Sequence, residues 1–166
     1  VPLFGVKSDP KTELLIKPTS GSTGDSAGLL LAFGNDWVGS TVQQKASVDV
    51  DAGVIFAGYG IREPAMGHDD FRGLDVRGHI VVFRSGVPPG PEWQTPTMLE
   101  RYALPRPQDR YDARLDILAE LGATAAIAIE PGLSERLKAG NEPLQKSYFL
   151  PAEDGPRAWG VPLVRV

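Results

Sequence analysis

Apolar residues fall along this chain in short runs broken by glycine and proline, a pattern that predicts many short strands and few helices. Val54-Ile55-Phe56-Ala57 is continuously apolar and ends in Gly58-Tyr59-Gly60, so it reads as a strand buried on both faces and closed by a sharp bend. The run from Gly78 to Arg84 repeats the pattern and is stopped by Gly86 and the Pro88-Pro89 pair. Upstream, Pro2 and Pro10 bar helix from residues 1–17, which read as two strands, and Leu29 to Phe33 and Thr41 to Val50 read as two more. Between them, Thr19 to Gly28 consists of residues that favour loop.

Helical spacing is sustained once, from about Gln108 to Leu121, where Tyr111, Leu115 and Leu118 share a face and Gly122 ends the run. Ala125 to Ile129 follows at once. A helix feeding directly into a buried strand predicts a parallel crossover beside the strand at Ile80. Leu133 to Ala139 forms a weaker helix, Gly140 to Gly160 reads as loop, and Val161 to Val166 reads as the last strand. The expected fold is α/β or α+β: a mixed, partly barrel-like sheet of about seven or eight strands flanked by one or two helices.

Composition narrows this picture. A length of 166 residues fits one domain, here 1–166, with 1–52 as β-rich lead-in strands and 53–166 as the core. The net charge of -4, with its basic residues scattered, offers no positive stripe for a phosphate backbone, so no nucleic-acid partner is expected. The longest apolar stretch, Leu29 to Phe33, is too short to span a bilayer, and no membrane partner is expected. With no cysteine, disulfides and thiolate chemistry drop out. A start at Val1 without a signal segment predicts an internal fragment or processed product.

Several segments together resemble the protease-associated domain of di-zinc aminopeptidases, the family that includes glutamate carboxypeptidase and transferrin-receptor-like proteins. They are Val54 to Ile61, His68-Asp69-Asp70-Phe71, Gly73 to Val82, Leu121 to Ile129 and Val161-Pro162-Leu163-Val164, in order, with Val1 to Val6 similar to the strand that precedes the domain. His79 stands where the family usually has lysine, and the proline-rich stretch from Val87 to Pro107 is an insert. The resemblance implies a non-catalytic domain that covers or gates the active site of a secreted zinc aminopeptidase, outside the cell or in the periplasm. Its partners would be the parent's catalytic domain and a peptide substrate or second subunit. It implies no cofactor in this chain, the two zinc ions lying in the catalytic domain.

Individual residues add further expectations. Gly58, Gly60, Asp70, Asp75, Gly78 and Gly122 suit structural turns, because glycine permits positive φ and aspartate caps backbone N–H groups. Gly24-Asp25-Ser26-Ala27-Gly28 matches the serine-hydrolase elbow, which makes a free-standing hydrolase using Ser26 one alternative; yet the motif needs a strand before the serine and a helix after it, and here a polar loop precedes it and strand-like leucines follow. His68, Asp69 and Asp70, with Glu63, are the densest set of metal-ligand types, and a metal-binding ligand-recognition β-domain is the other alternative. Adjacent Asp69 and Asp70 should point apart on extended backbone, which favours a turn. Trp93, Met98 and Tyr102 in the insert are candidate substrate or partner contacts, with packing onto the local core as the competing role. The charged positions Asp109, Arg110, Asp112, Arg114, Asp116 and Glu120 read as the solvated face of the helix.

Overall fold

The computed structural model describes residues 4–7, 13–17, 28–40, 49–103, 111–141, 146–149 and 161–166. Strands in the first half are β1 (Phe4–Lys7), β2 (Leu14–Ile16), β3 (Leu29–Leu31), β4 (Val38–Ser40), β5 (Val54–Phe56), β6 (Arg62–Glu63) and β7 (His68–Asp69). After β8 (Ile80–Arg84) come helices α1 (Pro96–Tyr102) and α2 (Asp112–Leu121), then β9 (Ala125–Ile129), α3 (Leu133–Lys138), β10 (Lys146–Phe149) and β11 (Leu163–Arg165). Single 3-10 turns occupy Pro64–Met66 and Pro91–Trp93.

The chain is a mixed α/β fold. Its main sheet has five strands in the order β4-β11-β9-β8-β5, open at both edges rather than closed into a barrel. β5, β8, β9 and β11 are mutually parallel, and β4 is antiparallel to β11. Three two-stranded ribbons, β1-β10, β2-β3 and β6-β7, complete the described strands. The parallel pairing of β8 with β9 is the crossover that the helix-to-strand succession predicts.

Register fixes the faces. Ile55 stands beside Val81, Val81 beside Ala126, and Ala126 beside Leu163, so these four side chains share one face. That face meets Tyr111, Leu115, Ile117 and Leu118 of the α2 region in one buried cluster. Val38 stands beside Arg165, and Arg165 beside Ala128, on the same face; Val38 packs with Leu133 and Leu137 of α3. Both helices therefore cover one side. The strand order steps in a single direction from β5 to β11, and successive right-handed crossovers in one direction bring their connections to a common face.

The opposite face is differently treated at its β5 end, where Val54 and Phe56 are 55% and 56% exposed. The expectation of a strand buried on both faces fails here because β5 is an edge among the described strands, with β8 as its one described neighbour in the sheet. Other differences follow from local chemistry. The insert is not plain loop, since Thr95 accepts from the Met98 N–H and Pro96 opens α1, a cap-and-proline start that helices favour. β10 lies within the stretch read as loop, and β4 lies in a stretch assigned no element. The residues 41–48 of the expected Thr41 to Val50 strand, and the Thr19 to Ala27 loop, lie outside the described residues, while Asp49 and Val50 are in no strand.

Candidate functional site

The densest polar constellation gathers where the turn after β5, the β6-β7 ribbon, the insert and α2 meet. It starts at Gly58 and Gly60, whose φ values of 46° and 66° fold the chain sharply after β5. This bend turns the N–H groups of Tyr59 and Ile61 toward one carboxylate oxygen, Oδ2 of Asp70, at 2.9 and 3.0 Å. Asp69 turns elsewhere, its Oδ1 accepting from the Phe71 N–H at 2.9 Å. The two adjacent carboxylates thus diverge, as extended backbone requires.

His68 stands over the edge of the Trp93 ring, centroids 4.7 Å apart and planes at 75°. Its Nε2 lies 3.1 Å from Asp70 Oδ1 without the alignment of a hydrogen bond. Glu63, the cross-strand neighbour of His68, is committed in another direction: Oε1 accepts from the Tyr102 hydroxyl at 2.6 Å and from Arg101 at 2.8 Å. Among the described residues no three His, Asp or Glu side chains form a metal-ligand group. Asp70 Oδ2 and Asp69 Oδ1 are each taken up by backbone N–H groups, and His68 lies beside Asp70 Oδ1.

Arg114 is the centre of this region. The side chain is fully buried, donating from Nε to the Tyr59 carbonyl at 2.7 Å, from one terminal nitrogen to the Tyr102 carbonyl at 3.1 Å, and from the other to the Gly86 carbonyl. Its guanidinium also lies over the rings of Phe83 and Tyr102, 5.5 and 5.1 Å from their centroids. Burial lowers its pKa to about 10, while the neighbouring Tyr111, Tyr102 and Asp70 pull the other way. The assignment of Arg114 to a solvated helix face is therefore corrected. Positions 111, 114, 115 and 118 form one helical stripe, and that spacing was the available sign that Arg114 faces inward. Glu120 fits the solvated reading, pairing at the surface with Arg62 at 2.5 Å.

The aromatic candidates of the insert turn inward. Trp93 and Tyr102 are almost wholly buried and pack with Ile61, while half-buried Met98 lies against them. In this conformation their contacts are with their own domain. Burial, then the hydrogen bond to Glu63, pushes the Tyr102 phenol above the usual tyrosine range.

A second buried carboxylate, Glu130, follows β9. It accepts from the Tyr111 hydroxyl at 3.0 Å, from Arg136 at 2.5 Å and from Arg165 at 2.9 Å, joining the start of α2, α3 and β11. The remaining turn residues act as the sequence suggests. Asp75 Oδ1 accepts from the Arg77 N–H at 3.2 Å, the Gly78 N–H donates to the Gly122 carbonyl at 2.9 Å, and Gly122 ends α2 with φ 79°. Ser26 lies outside the described residues.

The elements and site together define an open-sheet α/β domain whose main buried polar groups bind its own backbone and one another. No protein-family model, curated protein or solved structure matches the chain.

Proposed function

We propose that this chain is a non-catalytic accessory domain of the protease-associated type, seated on the catalytic domain of a secreted or periplasmic zinc aminopeptidase. There it covers or gates the active site, or mediates contacts with substrate or a second subunit. The two zinc ions of that reading belong to the catalytic domain, whose ligands lie outside this chain.

The observation that carries the reading is the apolar surface. Val54 and Phe56 on the edge strand are more than half exposed, and so are Leu29 and Leu30 on the β2-β3 ribbon, with Leu15 and Ile16 opposite them nearly as open. That ribbon is apolar on both of its faces, so it needs cover on two sides, and exposed contiguous apolar surface marks contact with another protein surface. The buried polar groups support the same reading: Asp70 and Arg114 hold backbone groups, and Glu63 and Glu130 hold other side chains of the domain.

The deciding experiment compares the parent peptidase with a version lacking residues 1–166 for peptide hydrolysis, specificity and assembly state. Altered specificity or assembly is expected. Identical behaviour on all three counts removes the proposal. Labelling of the isolated chain by a fluorophosphonate, lost on Ser26→Ala, would move the chain to the serine hydrolases, and a melting temperature raised by zinc or calcium would move it to the metal-binding domains.

A further inference from the structure

The insert is fastened to the domain in an unusual way. Besides the ladder of α1, the backbone-to-backbone hydrogen bonds of residues 87–103 among the described residues are all internal: Trp93 to Gly90, Gln94 to Pro91, Leu99 to Thr95, and Ala103 to Leu99. None joins the five-stranded sheet. Its apolar side chains, Val87, Trp93, Met98 and Tyr102, form a cluster with Tyr59, Ile61 and Ala113 that is separate from the main core under α2. Its polar ties outward run through side chains: the Tyr102 hydroxyl and Arg101 to Glu63, the Trp93 ring to His68, and Arg114 to the Tyr102 carbonyl.

Arg114 has a particular place among these ties. The two carbonyls it grips besides Tyr59, those of Gly86 and Tyr102, bracket the segment. One planar guanidinium thus holds both ends of the segment 87–103 to the bend after β5, a task its fixed fork of donors performs and a lysine ammonium cannot.

We propose that residues 87–103 are a strap that opens as one unit while the five-stranded sheet stays folded, with Arg114 as its latch. Opening breaks no sheet hydrogen bond and leaves the main core intact. It is cooperative because releasing either end undoes the same guanidinium. Once released, α1 with its seven residues is too short to persist alone, so its amides lose protection together. The open form uncovers Trp93 and Tyr102, large aromatic surfaces that the closed form hides.

Native-state hydrogen exchange on the intact chain in low denaturant tests this. The Trp93, Leu99 and Ala103 amides should share one opening equilibrium, weaker in its denaturant dependence than that of Ala57, Thr124 and Ala126 in and beside the sheet. In Arg114→Lys the strap amides should exchange roughly ten- to a hundredfold faster, as loss of hydrogen bonds to a charged group predicts, with the sheet amides changed far less. Strap amides exchanging in step with the sheet, or each with its own opening equilibrium, would overturn the proposal, as would equal acceleration of both sets by the substitution. Should Arg114→Lys fail to fold, the wild-type denaturant dependence alone decides.

Discussion

The carboxylate of Asp70 sits so close to Gly58 that a Cβ at Gly58 would meet Oδ1 at 2.6 Å, and the φ of 46° at Gly58 is one that side-chain-bearing residues adopt at a cost. The approach is what lets Asp70 reach the N–H groups of Tyr59 and Ile61. Gly58→Ala is therefore expected to cost about 2–3 kcal/mol, from backbone strain and the displaced carboxylate together. Asp70→Ala, which strands two partly buried donors, should cost about 3 kcal/mol, whereas Asp70→Asn keeps an acceptor and should cost roughly half that. Urea unfolding of the three variants checks the order. If Asn is as costly as Ala, the negative charge matters rather than the acceptor.

Tyr102 makes the domain sensitive to alkali with a definite sign. Burial and the Glu63 contact raise its folded pKa above the value of the unfolded chain, so the folded state keeps a proton that the unfolded state has released. Its contribution is complete below about pH 10, the ordinary tyrosine value, and stability should fall as pH rises beyond it. Arg114, whose folded pKa is lowered, acts with the opposite sign over the window above its value of about 10, so it offsets part of the loss. An absorbance titration of tyrosinate should show a component delayed until unfolding that Tyr102→Phe removes. A normal, complete titration in the folded protein would contradict this arrangement.

How far these features could be read from sequence depends on the range of the interaction that makes them. The Asp75 turn, the Gly122 helix end and the divergence of Asp69 from Asp70 are set by neighbours in sequence, and their residue types announced them. The parallel partnership of β8 and β9 was also readable, because a helix leading straight into a strand leaves few topologies. α1 was hidden by the prolines around it, although Thr95-Pro96 is itself a helix start. The exposure of Val54 and Phe56 was not readable: a continuous apolar run looks the same at an edge and at the centre, and only strand order separates them. Glu63 meets Tyr102 across 39 residues, and Arg114 reaches carbonyls 12, 28 and 55 residues away. Nothing local encodes them.

Glu130 should be among the less replaceable polar residues. Its carboxylate, almost wholly buried, ties Tyr111, Arg136 and Arg165, and thereby fixes the start of α2 and the position of α3 to the end of β11. Glu130→Ala removes the negative partner from a buried charge cluster and is expected to cost about 3–5 kcal/mol. Glu130→Gln retains one acceptor and should be milder. If both substitutions cost under about 1 kcal/mol by chemical unfolding, the cluster is a solvated ion network of the kind that contributes little.

Phe56 offers a test of the surface on which the proposed function rests. It lies on the edge strand with more than half its area in water, and an apolar edge without a charge is a site where another chain can add. Phe56→Lys removes apolar surface that the isolated domain does not bury, so its unfolding free energy should change by no more than about 1 kcal/mol. The same substitution should reduce binding of a hydrophobic dye such as ANS and, if the proposed function holds, weaken the contact with the proposed catalytic domain. A loss of more than about 2 kcal/mol in the isolated chain would mean that Phe56 is covered within its own fold. The exposed face would then be closed by the chain itself, and the apolar-surface argument for a partner would fall.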